Sequence, residues 1–94
     1  MVTEIATITV APGREAEFEA AMRGAGVGFL SACPGVQSVR FGQGIEKPQN
    51  FTFVVEWDSI EAHIAARDCE AFGQFRGCFG DMSVGGAMEH FDLR

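Results

Sequence analysis

The segment FTFVVEWDSIEAH, from Phe51 to His63, limits what this chain can fold into more than any other stretch. Side chains alternate along a strand, so Phe51, Phe53, Val55 and Trp57 point one way and Thr52, Val54 and Glu56 the other. The first set is wholly apolar and the second is mixed. An antiparallel strand with one wet face alternates more cleanly than this. The pattern predicts a strand covered on both sides, by helices on one and by a second copy of the chain on the other. Asp58 or Ser59 then caps a helix, with Glu61 three residues after Asp58 in capping-box spacing.

A chain of 94 residues suits one domain, and residues 1–94 are read as such. So short a chain buries about two-thirds or less of its unfolded surface, and dimerisation would add to that burial. The formal net charge of −6 argues against a nucleic-acid partner, which needs a basic surface, and against an anionic membrane surface. Cys33, Cys69 and Cys78 show no C-x-x-C spacing, which fits reduced thiols in the cytoplasm. Near the N-terminus, Glu4 stands where a signal peptide would be basic. No apolar run approaches the roughly 20 residues of a spanning helix. The expected location is cytoplasmic.

Val2 to Val10 reads as a first strand, with Ala6, Ile8 and Val10 on one face and Ile5, Thr7 and Thr9 on the other. Pro12 suits the first turn of a helix. Phe18, Ala21, Met22, Ala25 and Phe29 then recur at helical spacing. Gly24, Gly26 and Gly28 each weaken that helix by about 1 kcal/mol, and packing is expected to hold it. Cys33-Pro34-Gly35 turns the chain into a strand over Val36 to Gly44, and Glu46 to Asn50 is the polar hairpin loop that follows. After the third strand, Ile60, His63, Ile64 and Arg67 form an inward helical stripe that breaks at Asp68 to Glu70. Phe72, Phe75, Arg76 and Phe79 form the next one. Gly80 to Gly86 reads as a loop and Ala87 to Leu93 as the last strand.

The order strand, helix, strand, strand, helix, strand is the ferredoxin-like split βαβ arrangement. It is an α+β fold with an antiparallel sheet and both helices on one face. The other face, with Ile5 and Val54, would be sticky if bare. Packing two such sheets face to face in a homodimer covers it.

Taken in order, Val10-x-Pro12-Gly13, Phe18, Pro34-Gly35, Glu56-Trp57-x-Ser59-x-Glu61-Ala62-His63 and Phe72 resemble the antibiotic biosynthesis monooxygenase (ABM) family. The resemblance runs over nearly the whole chain and implies a dimeric α/β barrel of two ferredoxin-like protomers. For some members it implies oxidation of phenols, anthrones or quinols by O₂ with no cofactor. Other members degrade haem. The actinorhodin-type members use an Asn, a Trp, a Tyr and an Arg. Trp57 matches the Trp, Phe53 stands in place of the Asn, His63 stands in place of the Tyr, and Arg76 falls near the Arg. The Asn, Trp and His of the haem-degrading members align with Ala6, Ala66 and Arg76, which disfavours that chemistry.

Each candidate carries two readings. Trp57 is either a wall on which an aromatic substrate stacks or a core side chain at the sheet–helix junction. His63 is either a general base, its ordinary pKa of about 6.5 suiting proton removal near neutrality, or a buried histidine tied to a backbone carbonyl. Arg76 either stabilises a phenolate or enolate, or reaches out to the surface or pairs with an Asp or Glu. Phe53 and Phe72 are expected at the substrate's apolar wall, unless the nine phenylalanines fill the cavity. His90 and Asp92 share a strand face without the third ligand that a metal needs, so a structural role at a dimer interface is expected there. The thiols show no paired base. The leading expectation is a cofactor-free monooxygenase acting on a small aromatic substrate, with His63 and Arg76 catalytic and Trp57, Phe53 and Phe72 binding. The alternatives are a non-catalytic binding or interaction module of the same fold, or a cofactor-free isomerase or cyclase.

Overall fold

The β-branched and aromatic runs form four strands, β1 (Val2–Val10), β2 (Val36–Gln43), β3 (Asn50–Trp57) and β4 (Ser83–Phe91). In this computed structural model, which describes residues 1–94, they make one antiparallel sheet in the order β2-β3-β1-β4. That order and the helical crossovers give the ferredoxin-like α+β fold. Cross-strand partners point the same way. Glu4, Ala6 and Ile8 of β1 therefore share a face with Val55, Phe53 and Phe51 of β3, and with His90, Met88 and Gly86 of β4.

The first crossover is one continuous helix in three parts: α1 (Glu15–Ala21), a π-helical turn (Met22–Gly26) and α2 (Val27–Ser31). The wider turn inserts about one residue into the helical repeat. The buried stripe consequently shifts phase from Phe18 and Met22 to Gly26 and Leu30, rather than to the expected Ala25 and Phe29. Gly35 ends the following turn at φ +90°, and a Cβ there would come within 2.7 Å of Ala62 Cβ.

The second crossover holds α3 (Ile60–Ala66) and α4 (Glu70–Gly77). Ser59 caps α3, its Oγ accepting from the Ala62 N–H at 3.0 Å. The capping-box pairing of Asp58 with Glu61 is therefore not used. The inward stripe also differs from expectation. His63 and Ala66 are buried, whereas Ile60 and Ile64 are 42% and 55% exposed. Cys69 breaks the helix and caps α4, its Sγ accepting from the Phe72 N–H at 3.4 Å.

β4 begins at Ser83, earlier than the glycines suggest. Gly85 and Gly86 pair with Thr9 and Ile8 inside the sheet. Gly86 fits because the backbones approach closely; a Cβ there would sit 3.0 Å from the Thr7 carbonyl oxygen. Every residue of β4 except His90 is exposed.

Between helices and sheet, Phe18 meets Phe51 and Phe79 at ring separations of 4.9 and 5.5 Å, and Phe41 stacks on Phe51. On the sheet's other face Ile5 and Phe91 are partly exposed, and the Thr3 hydroxyl donates to the Glu56 carboxylate at 2.8 Å. No helix is long and apolar enough to cross a membrane.

Candidate functional site

The helix-facing side of β1 and β4 is not filled. A cavity of about 370 Å³ lies there, within the range of small-molecule sites. Its floor is Glu4, Ala6 and Ile8 of β1 with Phe53 and Val55 of β3. Its sides are Leu30, His63, Phe72, Phe75 and Phe79 from the helices and Gly86 to Met88 of β4, while Arg67 and Arg76 stand at its rim, both exposed. The phenylalanines line this space rather than close it. Phe75 meets Phe53 edge to face at 5.2 Å, and its ring fixes one wall.

The polar part of the site is a buried chain across three elements. Glu4 sits on β1 directly opposite His90 of β4, and His63 comes down from α3 beside both. The Trp57 indole N–H donates to Glu4 Oε1 at 2.9 Å. His63 Nε2 lies 3.7 Å from the same oxygen, and His63 Nδ1 lies 2.8 Å from His90 Nε2. Trp57 stacks flat on the His63 ring, with centroids 4.4 Å apart and planes at 16°. These contacts hold the imidazole against rotation.

The contacts also select a tautomer. A carboxylate only accepts hydrogen bonds, so a Glu4 carboxylate favours the proton on His63 Nε2. Nδ1 is then an acceptor, and His90 donates to it through Nε2–H. Glu4 Oε2 takes no hydrogen bond from the protein, and no fully buried polar side-chain atom lacks a partner, so this oxygen is open to the cavity. Burial holds the His63 pKa below its ordinary 6.5; Glu4 opposes the shift, while His90 and Arg67 add to it. His63 is therefore neutral at pH 7. A neutral imidazole on a carboxylate can move a proton between cavity and surface without leaving a charge behind.

The sequence-expected residues fall into place unevenly. His63, Arg76, Phe53 and Phe72 all border the cavity. Trp57 does not: it is fully buried and backs His63, so its ring stacks on the histidine and not on a substrate. His63 bonds to side chains, not to a backbone carbonyl. His90, expected in a structural role at an interface, is the direct partner of His63. Glu4 drew notice in the sequence only as an acid where a signal peptide would be basic; no local pattern marks it as a site residue, since its partners lie 53, 59 and 86 residues away. Arg67 was placed on the inward stripe, and it does reach the rim. No group of three His, Cys, Asp or Glu is arranged to hold a metal ion. Cys33 and Cys69 lie outside the cavity with their sulfurs 3.7 Å apart, and burial pushes the Cys33 thiol up to about 12.

Comparison with known proteins gives this geometry a context. The family model described as antibiotic biosynthesis monooxygenase matches residues 1–77. A Bordetella bronchiseptica protein of solved structure, carrying that family name, is 33% identical over 99% of this chain and 96% of its own, with a TM-score of 0.87. A Pseudomonas aeruginosa protein is 24% identical, covering 99% of this chain and 93% of its own, with a TM-score of 0.81. A Nitrosomonas europaea protein under the family name is 15% identical over 99% and 98%, with a TM-score of 0.79. The last two likenesses speak for the fold alone. None of the curated proteins matches the chain.

Proposed function

The chain belongs to the antibiotic biosynthesis monooxygenase family, and from that membership and the cavity we propose a cofactor-free oxygenation of a small aromatic phenol, anthrone or quinol. The observation that carries this reading is the Glu4–His63–His90 chain bordering a cavity whose walls are mostly apolar. A short helix that buries a histidine and leaves two isoleucines exposed has given up hydrophobic burial for a polar group, as functional sites do.

For an anthrone the chemistry balances without a cofactor. The base removes a C–H or O–H proton, and the resulting anion is a far better electron donor to O₂. One oxygen atom becomes the new ring carbonyl. The other leaves as water with the two hydrogens of the original methylene, and the substrate supplies all four electrons. The protein has to bind, deprotonate and stabilise the anion. Glu4 Oε2, open to the cavity, is the atom placed to receive the proton. His63 Nε2–H and the Trp57 indole N–H both face Oε1 and orient the carboxylate for that transfer, while the half-buried His90 fixes the imidazole at Nδ1. Arg76, a positive charge at the rim of the same cavity, favours the negative charge that spreads over the rings. Phe53 and Phe72 hold the rings, and Trp57 positions Glu4 and His63 together.

O₂ uptake with a panel of anthrones and hydroquinones, without added cofactor, tests the reading. Glu4→Gln and His63→Gln are each expected to lower turnover by about 10²-fold or more, the usual range for a lost acid–base group, with melting checked in parallel. Uptake unchanged in both variants, or absent across the panel, would sink it. Phe53 in the family's Asn position favours a second reading, a site that binds its ligand without oxidising it. Binding without uptake would select that one, and substrate conversion under anaerobic conditions would select an isomerase or cyclase.

The assembly is proposed as a homodimer through the open sheet face, where Ile5 and Phe91 stand exposed and β4 lies uncovered. Light scattering is expected to give twice the 10.1 kDa chain mass; the single-chain mass at micromolar concentration would rule this out.

A further inference from the structure

We propose that the ligand of this cavity is an aromatic carboxylate whose anionic end is clamped at the rim by Arg67 and Arg76. The chain has 13 acidic and only 7 basic residues. Arg14, Arg23 and Arg94 are committed to carboxylates on their own surfaces. Arg40, Lys47, Arg67 and Arg76 are within 4 Å of no carboxylate, and of these four only Arg67 and Arg76 border the cavity that holds the buried Glu4–His63 pair. In an acidic chain, two cations left without acidic partners at the same opening are a binding feature in search of an anion.

Their position narrows the chemistry. Arg67 caps the C-terminus of α3 and Arg76 stands in the last turn of α4. The helix dipole accounts for a cation at either end, but not for both bordering one cavity. These ends carry the negative pole and offer no free N–H groups, so they are unlike the N-terminal sites that hold phosphate. A monoanionic, planar carboxylate matches what a guanidinium fork offers. Glu4, buried where the two arginines are exposed, repels a second anion and admits a neutral hydroxyl or C–H donor. The cavity is thus polarised, with an anion at the rim, rings among the phenylalanines and an ionisable proton at the floor.

This deepens the oxygenase reading, yet it is read by binding alone. Anaerobic calorimetry with 6-hydroxy-2-naphthoate, its methyl ester and 2-naphthol separates the two, since no turnover is needed. The acid is expected to bind at least about tenfold tighter than the ester, the scale of one charge-assisted contact. Arg67→Gln and Arg76→Gln should each lose part of that preference, and the double variant nearly all of it, with ester affinity unchanged. Both arginines are exposed, so the variants are expected to melt as the wild type does. Equal affinity for acid and ester, a preference that survives the double variant, or no binding of any probe would overturn the proposal, whatever the O₂ assay gives.

Discussion

The two halves of the layer between sheet and helices are built from the same kinds of residue and end differently. Over β2 and the start of β3 the space is full: Phe18, Phe41, Phe51 and Met22 interlock. Over β1 and β4 the sheet offers Ala6, Gly86 and Met88, and the space stays open. The difference lies in side-chain volume and in coverage. Each pair there, Ala6 with Met88 and Ile8 with Gly86, holds one small residue that leaves part of the gap unfilled, and the helices above leave β4 exposed. One half supplies the stability that lets the other half stay hollow and hold a buried carboxylate and imidazole, which a packed core would not tolerate without partners.

Phe18→Ala attacks the full half and should show the largest effect. Truncating a fully buried Phe costs about 3–5 kcal/mol, and a chain of this size loses about 4–8 °C of melting temperature per kcal/mol. Thermal melting that fell by less than about 5 °C would mean that Phe18 is not a keystone of that half. Ala6→Leu acts on the hollow half in the opposite sense. Filling the floor should abolish aromatic ligand binding while melting stays within a few degrees, because the added methylenes enter empty space. A variant that binds as before would place the ligand elsewhere.

The smallest effect sharpens the contrast through pH. His63 faces Glu4 of β1, His90 of β4 and Arg67 after α3, and its pKa lies below the 6.5 it regains on unfolding. The unfolded chain therefore binds the proton first. Stability from this group is complete above 6.5 and is lost as pH falls through the folded-state value. Melting temperature against pH should slope downward below about 6.5 in the wild type and flatten in His63→Phe. A slope unchanged in that variant would assign the effect to other groups.

Much of this was legible in the chain. The alternation in Phe51 to Trp57, the stripe in Phe72 to Phe79 and the order of elements give the fold, because burial of alternating or 3.6-spaced apolar residues depends on local sequence. Where local rules failed, something non-local won. The π-helical turn moved the buried stripe from Ala25 and Phe29 to Gly26 and Leu30. Strand pairing with β1 drew Gly85 and Gly86 into β4 against their propensity. Helix α3 turned His63 inward and Ile60 and Ile64 outward, which hydrophobicity alone would reverse.

The sequence by itself determined the sheet, the crossovers, the aromatic walls and the suspicion attached to His63, since each rests on residues close along the chain. Only the tertiary structure decided that Trp57 braces His63, that Glu4 and His90 complete the polar chain, and that Arg67 and Arg76 share one opening. Those relations join β1, α3 and β4, and strand register, not sequence spacing, sets which side chains meet there.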